Sequence, residues 1–165
     1  IKTLPDTEIA PEQVAIANRG YESLYTGLNL QGWTQATAGE PWKVRDWVLS
    51  HASDAGKTSR LVSEREFDRI GFVTDVRMKD DAGKASIGVG EGATFDLSDP
   101  RIADKLNKPG QWNRLELTEV DGKRVLLVNG QPTDVPQSEA SGKLSLAASG
   151  NVEFCNIYAR VIPAP

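Results

Sequence analysis

The sequence predicts an all-β protein, built from antiparallel strands that pack as a sandwich or a barrel. Two dipeptides that favour tight hairpin turns, Asp121-Gly122 and Asn129-Gly130, bracket a short β-rich run in the second half of the chain. Residues 69–79 alternate between apolar and polar side chains, which is the pattern of a strand with one buried face. About ten short strands separated by turn signals fit the same interpretation.

The N-terminal residues differ from the rest of the chain. Residues 11–17 begin with Pro11 and are followed by Gly20, which predicts a short helix. We therefore divide the chain into an N-terminal extension or linker over residues 1–19 and a single β-sandwich domain over residues 20–165. The extension is expected to contact other domains or subunits of a longer polypeptide.

In the first half of the domain, short apolar runs mark the strands. Two of them flank Arg45-Asp46 and predict a hairpin, and Asp80 to Gly83 predicts a turn after the longest strand. The glycine-rich stretch 88–92 lacks the Lys-Ser/Thr of a phosphate-binding loop, so a loop or bulge at a sheet edge is favoured. The predicted strands of this half cover residues 21–25, 42–44, 47–50, 60–63, 69–79 and 84–89.

In the second half, one helix interrupts the strands. Asp99 can cap a helix that starts at Pro100 and continues to Leu106, and Pro109-Gly110 would end it. From Trp112 onward only strands and turns are predicted, and the last two strands cover residues 142–147 and 152–162.

Composition excludes two classes of partner. The net charge is −4, and no basic run is interleaved with aromatic residues, so a nucleic-acid partner is not expected. No apolar stretch approaches the roughly 20 residues that span a bilayer, so no transmembrane segment is expected.

Cys155 has no second cysteine to pair with and lies in an alternating run, which predicts a buried structural thiol.

Several motifs, in order along the chain, resemble those of one family. Residues 20–33 match a Gly-aromatic-x-Ser-Leu-aromatic-x-Gly-x-x-Leu-x-Gly-Trp pattern, and residues 42–49 match a Trp-x-Val-x-Asp-Gly-x-Leu pattern with Trp47 in place of the glycine. Residues 110–117 and 152–157 match its Gly-Glu-Trp-Asn segment and its closing strand, where Cys155 replaces an arginine. With these motifs the chain resembles the 3-keto-disaccharide hydrolases, a family with a concanavalin A-like jelly-roll fold.

The resemblance implies a carbohydrate-directed function outside the cytoplasm, in a periplasmic or secreted bacterial glycan-use protein. One hypothesis is a glycoside hydrolase acting on (keto-)glycosides. The alternative is a non-catalytic module that binds glycans or docks to a larger protein, and a purely structural sandwich is a third. Residues 84–90 lack the arginine that the family carries in this strand, and the predicted concave face is short, which favours a module.

The candidate catalytic residues are two carboxylates, because acid–base cleavage of a glycoside needs a facing pair. Asp75 points away from the core side of its strand, and Glu91 follows in the loop that returns across that face. Arg77 is a candidate substrate ligand. The alternative is that Asp75 and Arg77 form only a polar pair on a solvated face. His51, predicted in a loop, is a candidate substrate ligand or a single base for a keto-sugar mechanism.

Trp47 is the candidate for stacking on a sugar ring, because it replaces a glycine of the family motif. Trp33, Trp42 and Trp112 lie in fold motifs and are expected in the core. No cofactor and no metal site are predicted, since Asp80, Asp81 and Asp99 suit turns. The alternative is a structural Ca²⁺ of the kind held on oxygen ligands.

Overall fold

A computed structural model places two antiparallel sheets face to face. It describes residues 21–35, 41–45, 47–53, 57–90, 93–120, 123–135 and 142–162. One sheet has eight strands and the other has five. The all-β antiparallel prediction is confirmed.

The bounds of the elements follow the alternation of apolar residues and the turns between them. The strands are β1 Glu22–Ser23, β2 Trp33–Gln35, β3 Trp42–Arg45, β4 Val48–His51, β5 Thr58–Phe67, β6 Ile70–Met78, β7 Lys84–Val89, β8 Ala93–Asp96, β9 Asn113–Val120, β10 Lys123–Val128, β11 Gln131–Pro132, β12 Gly142–Ser149 and β13 Val152–Val161. The helix α1 covers Pro100–Ala103. The eight-stranded sheet has the order β11-β10-β9-β6-β13-β4-β3, with β1 paired to β13 outside that path. The five-stranded sheet has the order β2-β5-β12-β7-β8.

The core lies between the two sheets and is supplied by every second residue of their strands. Phe72, Leu115 and Phe154 face inward from the eight-stranded sheet and are fully buried. Leu61, Ile87 and Leu146 do the same from the five-stranded sheet, where the register places them opposite one another on adjacent strands. Because successive side chains alternate between faces, this core fixes which residues lie on the outer face of each sheet.

Most predicted elements are found, with differences in length. The hairpin around Arg45-Asp46 is confirmed by the antiparallel pairing of β3 with β4. The strand β5 is ten residues long rather than four, because Glu66 continues the ladder opposite Lys143 of β12. Asp99 caps α1 through the backbone N–H of Arg101, but the helix makes only about one turn.

Two positions with left-handed backbone shape the eight-stranded sheet. Asn129 and Gly130 have φ of 52° and 81°, which matches the predicted Asn-Gly hairpin between β10 and β11. Asn156 has φ of 51° and lies at a register shift in β13. Such a bulge redirects a side chain, and here it turns Asn156 towards Asp75.

Three predictions fall outside the described residues: the helix over residues 11–17, the Asp121-Gly122 turn and the position of Glu91. The strands on either side of residues 121–122 do pair antiparallel, with Val120 opposite Lys123.

Candidate functional site

Asp75 lies on the outer face of the eight-stranded sheet, in a closed cluster of polar side chains. Arg114 of the neighbouring strand β9 binds it with two hydrogen bonds, from Nε to Oδ1 at 2.8 Å and from Nη2 to Oδ2 at 2.9 Å. On the other side, Asn156 Nδ2 donates to Oδ2 at 2.6 Å. The Asp75 side chain is only 1% exposed, so the cluster leaves its carboxylate no open side.

Burial raises the pKa of Asp75 above its usual value. The hydrogen bonds and positive charge of Arg114 and the hydrogen bond from Asn156 lower the pKa, but they offset only part of that rise. A carboxylate held by a two-point guanidinium contact is a structural ion pair rather than a free acid or base.

Arg77 belongs to a second group on the same face. Its Nη2 and Nε donate to Glu153 Oε1 at 2.6 and 2.9 Å, and its guanidinium carbon lies 4.5 Å from the centroid of the Trp112 ring. Ser50 Oγ donates to the other carboxylate oxygen of Glu153 at 3.3 Å. Arg77 is thus held by one acidic and one aromatic neighbour.

Two predictions about this face are corrected. Asp75 and Arg77 do not pair with each other, because each is opposite a different charged residue of a neighbouring strand, Arg114 and Glu153. The alternative of a solvated face is also wrong at Asp75, which is buried. Trp112 is buried as expected, but it packs on Arg77 outside the main core, whereas Trp33 and Trp42 are core residues.

His51 is not in a loop but ends strand β4, and it is only 2% exposed. Its Nδ1 lies 2.8 Å from the carbonyl oxygen of Gly150, and its ring contacts Trp42 edge-on at 4.7 Å between centroids. Its Nε2 has no hydrogen-bond partner among the described residues. Burial lowers the pKa of His51, against the smaller opposing effect of the Gly150 hydrogen bond, so the ring is neutral and enclosed.

Trp47 lies half-buried beside the β3–β4 hairpin. Its ring covers Gly27, where an added Cβ would come within 2.8 Å of Trp47 Cε3. Glycine at position 27 therefore provides the space that this tryptophan occupies. The predicted catalytic roles of Asp75 and Glu91 stay predictions, as do the predicted substrate-binding roles of Arg77, Trp47 and His51.

The outer face of the five-stranded sheet carries an open depression of about 220 Å³, which we call the trough. It lies above β12 and β7, whose outward side chains are short because serine and alanine alternate there with the apolar core residues. Its lining includes Thr58, Lys84, Ser86, Asp96, Ala147 and Ser149.

A second depression of about 520 Å³ adjoins the trough and shares Asp96 and Ser98 with it. Ser98 donates to Asp96 Oδ1 from its backbone N–H at 2.9 Å and from Oγ at 2.6 Å. Arg101 makes a two-point contact with Asp99, and its hydrogen bonds lower the pKa of Asp99 to about 2. Asp99 is therefore ionised at any physiological pH.

The sequence interpretation missed the trough. Ser86, Ala147 and Ser149 look like ordinary strand residues, and the only signal in the sequence is a run of small outward side chains in β7 and β12.

Among the described residues, no group of three or more His, Cys, Asp or Glu side chains is gathered as a metal site would require. In the same part of the chain, no helix has the length and apolar character needed to cross a membrane.

Comparison with known proteins supports the fold. No protein-family model matches the sequence, and no curated protein matches it either. Among solved structures, a "putative glycosyl hydrolase" from Parabacteroides distasonis has a TM-score of 0.67 at 17% identity, covering 94% of this chain and 98% of that one. A β-glucanase from Bacillus licheniformis has a TM-score of 0.59 at 9% identity, covering 87% and 97%.

A carbohydrate-binding module from Bacillus subtilis is also similar, with a TM-score of 0.57 at 12% identity, and covers 78% of this chain and 95% of that one. At such low identity the similarity shows the fold alone. The chain is a jelly-roll β-sandwich of the concanavalin A-like class, as the sequence predicted.

Proposed function

We propose that this chain is a carbohydrate-binding β-sandwich module whose ligand lies in the trough of the five-stranded sheet. The observation that carries this proposal is the contrast between the two outer faces. On the eight-stranded sheet Asp75 and Arg77 are held by internal partners, whereas the trough is open and lined by hydroxyl groups. Sites for polar small molecules are concave and present a few convergent polar groups of this kind.

The described lining of the trough favours binding over cleavage. Glycoside hydrolysis ordinarily uses two carboxylates facing each other across the bond, about 5–9.5 Å apart. Of the described residues that line the trough, Asp96 alone carries a carboxylate. In the adjoining depression Asp99 is bound by Arg101 and is too acidic to serve as a general acid.

The test is a glycan-array screen on the wild-type protein, with Ala147→Phe as the blocking variant. Ala147 points outward in the centre of the trough, so a phenyl ring there would fill the space of a ligand. The matched control is Val125→Phe, which places the same ring on the outer face of the eight-stranded sheet. Binding lost in Ala147→Phe and kept in Val125→Phe supports the proposal. The reverse pattern, or no binding by the wild type, contradicts it.

Hydrolysis of (keto-)glycosides is the second candidate. It is favoured by the ordered motifs shared with the 3-keto-disaccharide hydrolases and by the fold shared with structures described as glycosyl hydrolase and glucanase. A turnover assay on a 3-keto-glucoside with wild type, Asp75→Asn and Asp96→Asn tests it. Turnover abolished in one variant would identify an enzyme. If the wild type shows no turnover, the proposal of a non-catalytic binding module remains.

The expectations about location, partners and calcium are also part of the proposal. We place the protein outside the cytoplasm, in keeping with the family that it resembles, and detection in a periplasmic or culture fraction tests this. Residues 1–19 are proposed to contact further domains or subunits. A structural Ca²⁺ would raise the melting temperature on addition of the ion and lower it with a chelator.

A further inference from the structure

The trough is flanked by two long cationic side chains, Arg60 and Lys84. Both are exposed, and neither has a hydrogen bond or ion pair to any other described residue. Other arginines of the molecule are held: Arg101 by Asp99 and Arg114 by Asp75. The positive charges beside the trough are therefore available to a ligand.

The strand register defines the geometry of this pair. Arg60 of β5 lies opposite Ala147, and Lys84 of β7 lies opposite Ser149, on the two sides of the central strand β12. With strands 4.7–4.9 Å apart and a two-residue offset, the two Cα atoms are separated by about 12 Å. Because Ala147 and Ser149 are short, both cationic side chains can reach an anion that lies over β12.

Among the described residues at the trough end of this face, the two cations Arg60 and Lys84 outnumber the one unpaired carboxylate, Asp96. Towards the other end of the sheet, Glu66 lies opposite Lys143, so acidic and basic side chains meet there. On the far side of the trough, Asp96 lies opposite Ser86, and its Oδ1 accepts both hydrogen bonds from Ser98. Its other oxygen takes part in none of the hydrogen bonds found among the described residues, and Asp96 lines the trough.

We propose that the trough binds an acidic glycan, with the sugar carboxylate or sulfate held between Lys84 and Arg60. Sugar hydroxyl groups donate to Asp96 and exchange hydrogen bonds with Ser86 and Ser149. This inference rests on the proposed binding function and adds the chemical class of the ligand. An acidic ligand also fits the location, since the positive pair stands out on a chain of net charge −4.

The experiment uses two pairs of polymers that differ only in charge. Polygalacturonate is compared with its methyl ester, and dextran sulfate with dextran, by isothermal titration calorimetry on the whole chain. The test variant is Arg60→Gln/Lys84→Gln. The control, Lys108→Gln/Lys123→Gln, removes the same charge from exposed positions away from the trough. Melting temperatures of both variants are measured to confirm folding.

We expect the wild type to prefer an acidic member over its neutral partner, and the test variant to lose about tenfold in affinity for it. The control variant keeps the wild-type affinity. If the wild type binds polygalacturonate more tightly than its methyl ester, the recognised group is a carboxylate. If it binds dextran sulfate more tightly than dextran, the recognised group is a sulfate.

Equal binding of charged and neutral polymers overturns the acidic-ligand inference and leaves the binding function standing. Equal loss in both variants also overturns it, because attraction would then follow net charge rather than this pair. If the wild type binds none of the four polymers and no glycan on the array, the binding function itself fails.

Discussion

Replacing Asp75 with alanine tests whether this residue is structural or functional. The substitution leaves the Arg114 guanidinium without its two-point partner, at a position where its side chain is only 10% exposed. Breaking a buried ion pair by removing one partner costs roughly 3–5 kcal/mol of the free energy of unfolding. That is a large share of the 5–15 kcal/mol typical of a domain. For a chain of this length it corresponds to a drop in melting temperature of roughly 6–20 °C.

The assay is urea denaturation followed by fluorescence, with linear extrapolation to water. Asp81→Ala is the control, because this exposed turn carboxylate should change the free energy by less than about 0.5 kcal/mol. Asp75→Leu/Arg114→Met removes both charges, and we expect it to regain most of the loss. If Asp75→Ala unfolds within about 0.5 kcal/mol of wild type, the buried pair does not stabilise the fold. Lost glycan binding at unchanged stability would instead make Asp75 a ligand contact.

Three further predictions follow from burial and backbone geometry. His51 is the single histidine, and its pKa is lowered in the folded protein, so the unfolded chain binds a proton first as the pH falls. The free energy of unfolding of the wild type therefore decreases from pH 7.5 to 5.5, by at most about 1.4 kcal/mol per pH unit. In urea titrations at each pH, His51→Gln is expected to lose this slope. Gly142→Ala places a Cβ 2.7 Å from Gly90 Cα, whereas the Cβ of Gly110→Ala, also at positive φ, meets nothing within 4 Å. We expect Gly142→Ala to cost roughly 1–2 kcal/mol more free energy of unfolding than Gly110→Ala. Equal costs in the two variants would contradict the packing argument. Burial strongly raises the pKa of the Cys155 thiol. A chromogenic disulfide reagent should therefore label Cys155 in urea but not in the native protein. Rapid labelling of the native protein would show that the thiol is accessible to solvent.

Local patterns predicted the strands but not the sheet on which a ligand could lie. Alternation located β6, and the Asn129-Gly130 dipeptide located a hairpin, because both are set within a few residues. The environment of Asp75 depends on Arg114, 39 residues away, and on Asn156, 81 residues away. Alternation indicated correctly that Asp75 points away from the core, but it contains no information on what covers an outer face.

The Asn156 contact was also beyond the sequence pattern, because it depends on a bulge in β13. A regular strand would carry Asn156 and Cys155 on opposite faces, and the register shift there lets Asn156 reach Asp75. Cys155 lies opposite Asp75 on the adjacent strand β13. On the other side of Asp75, Arg114 of β9 supplies the guanidinium that binds its carboxylate.

The two outer faces also differ in what a ligand would have to displace. On the eight-stranded sheet, long side chains of opposite charge face each other at Asp75 and Arg114 and at Arg77 and Glu153, so a ligand there would compete with ion pairs already formed. Separating the buried Asp75–Arg114 pair costs several kcal/mol before any contact is gained. On the five-stranded sheet, short side chains form the floor, and Lys84 and Arg60 have no hydrogen bond or ion pair with another described residue. Among the described residues, a ligand in the trough would therefore break no ion pair, and this difference supports the proposed location of the glycan.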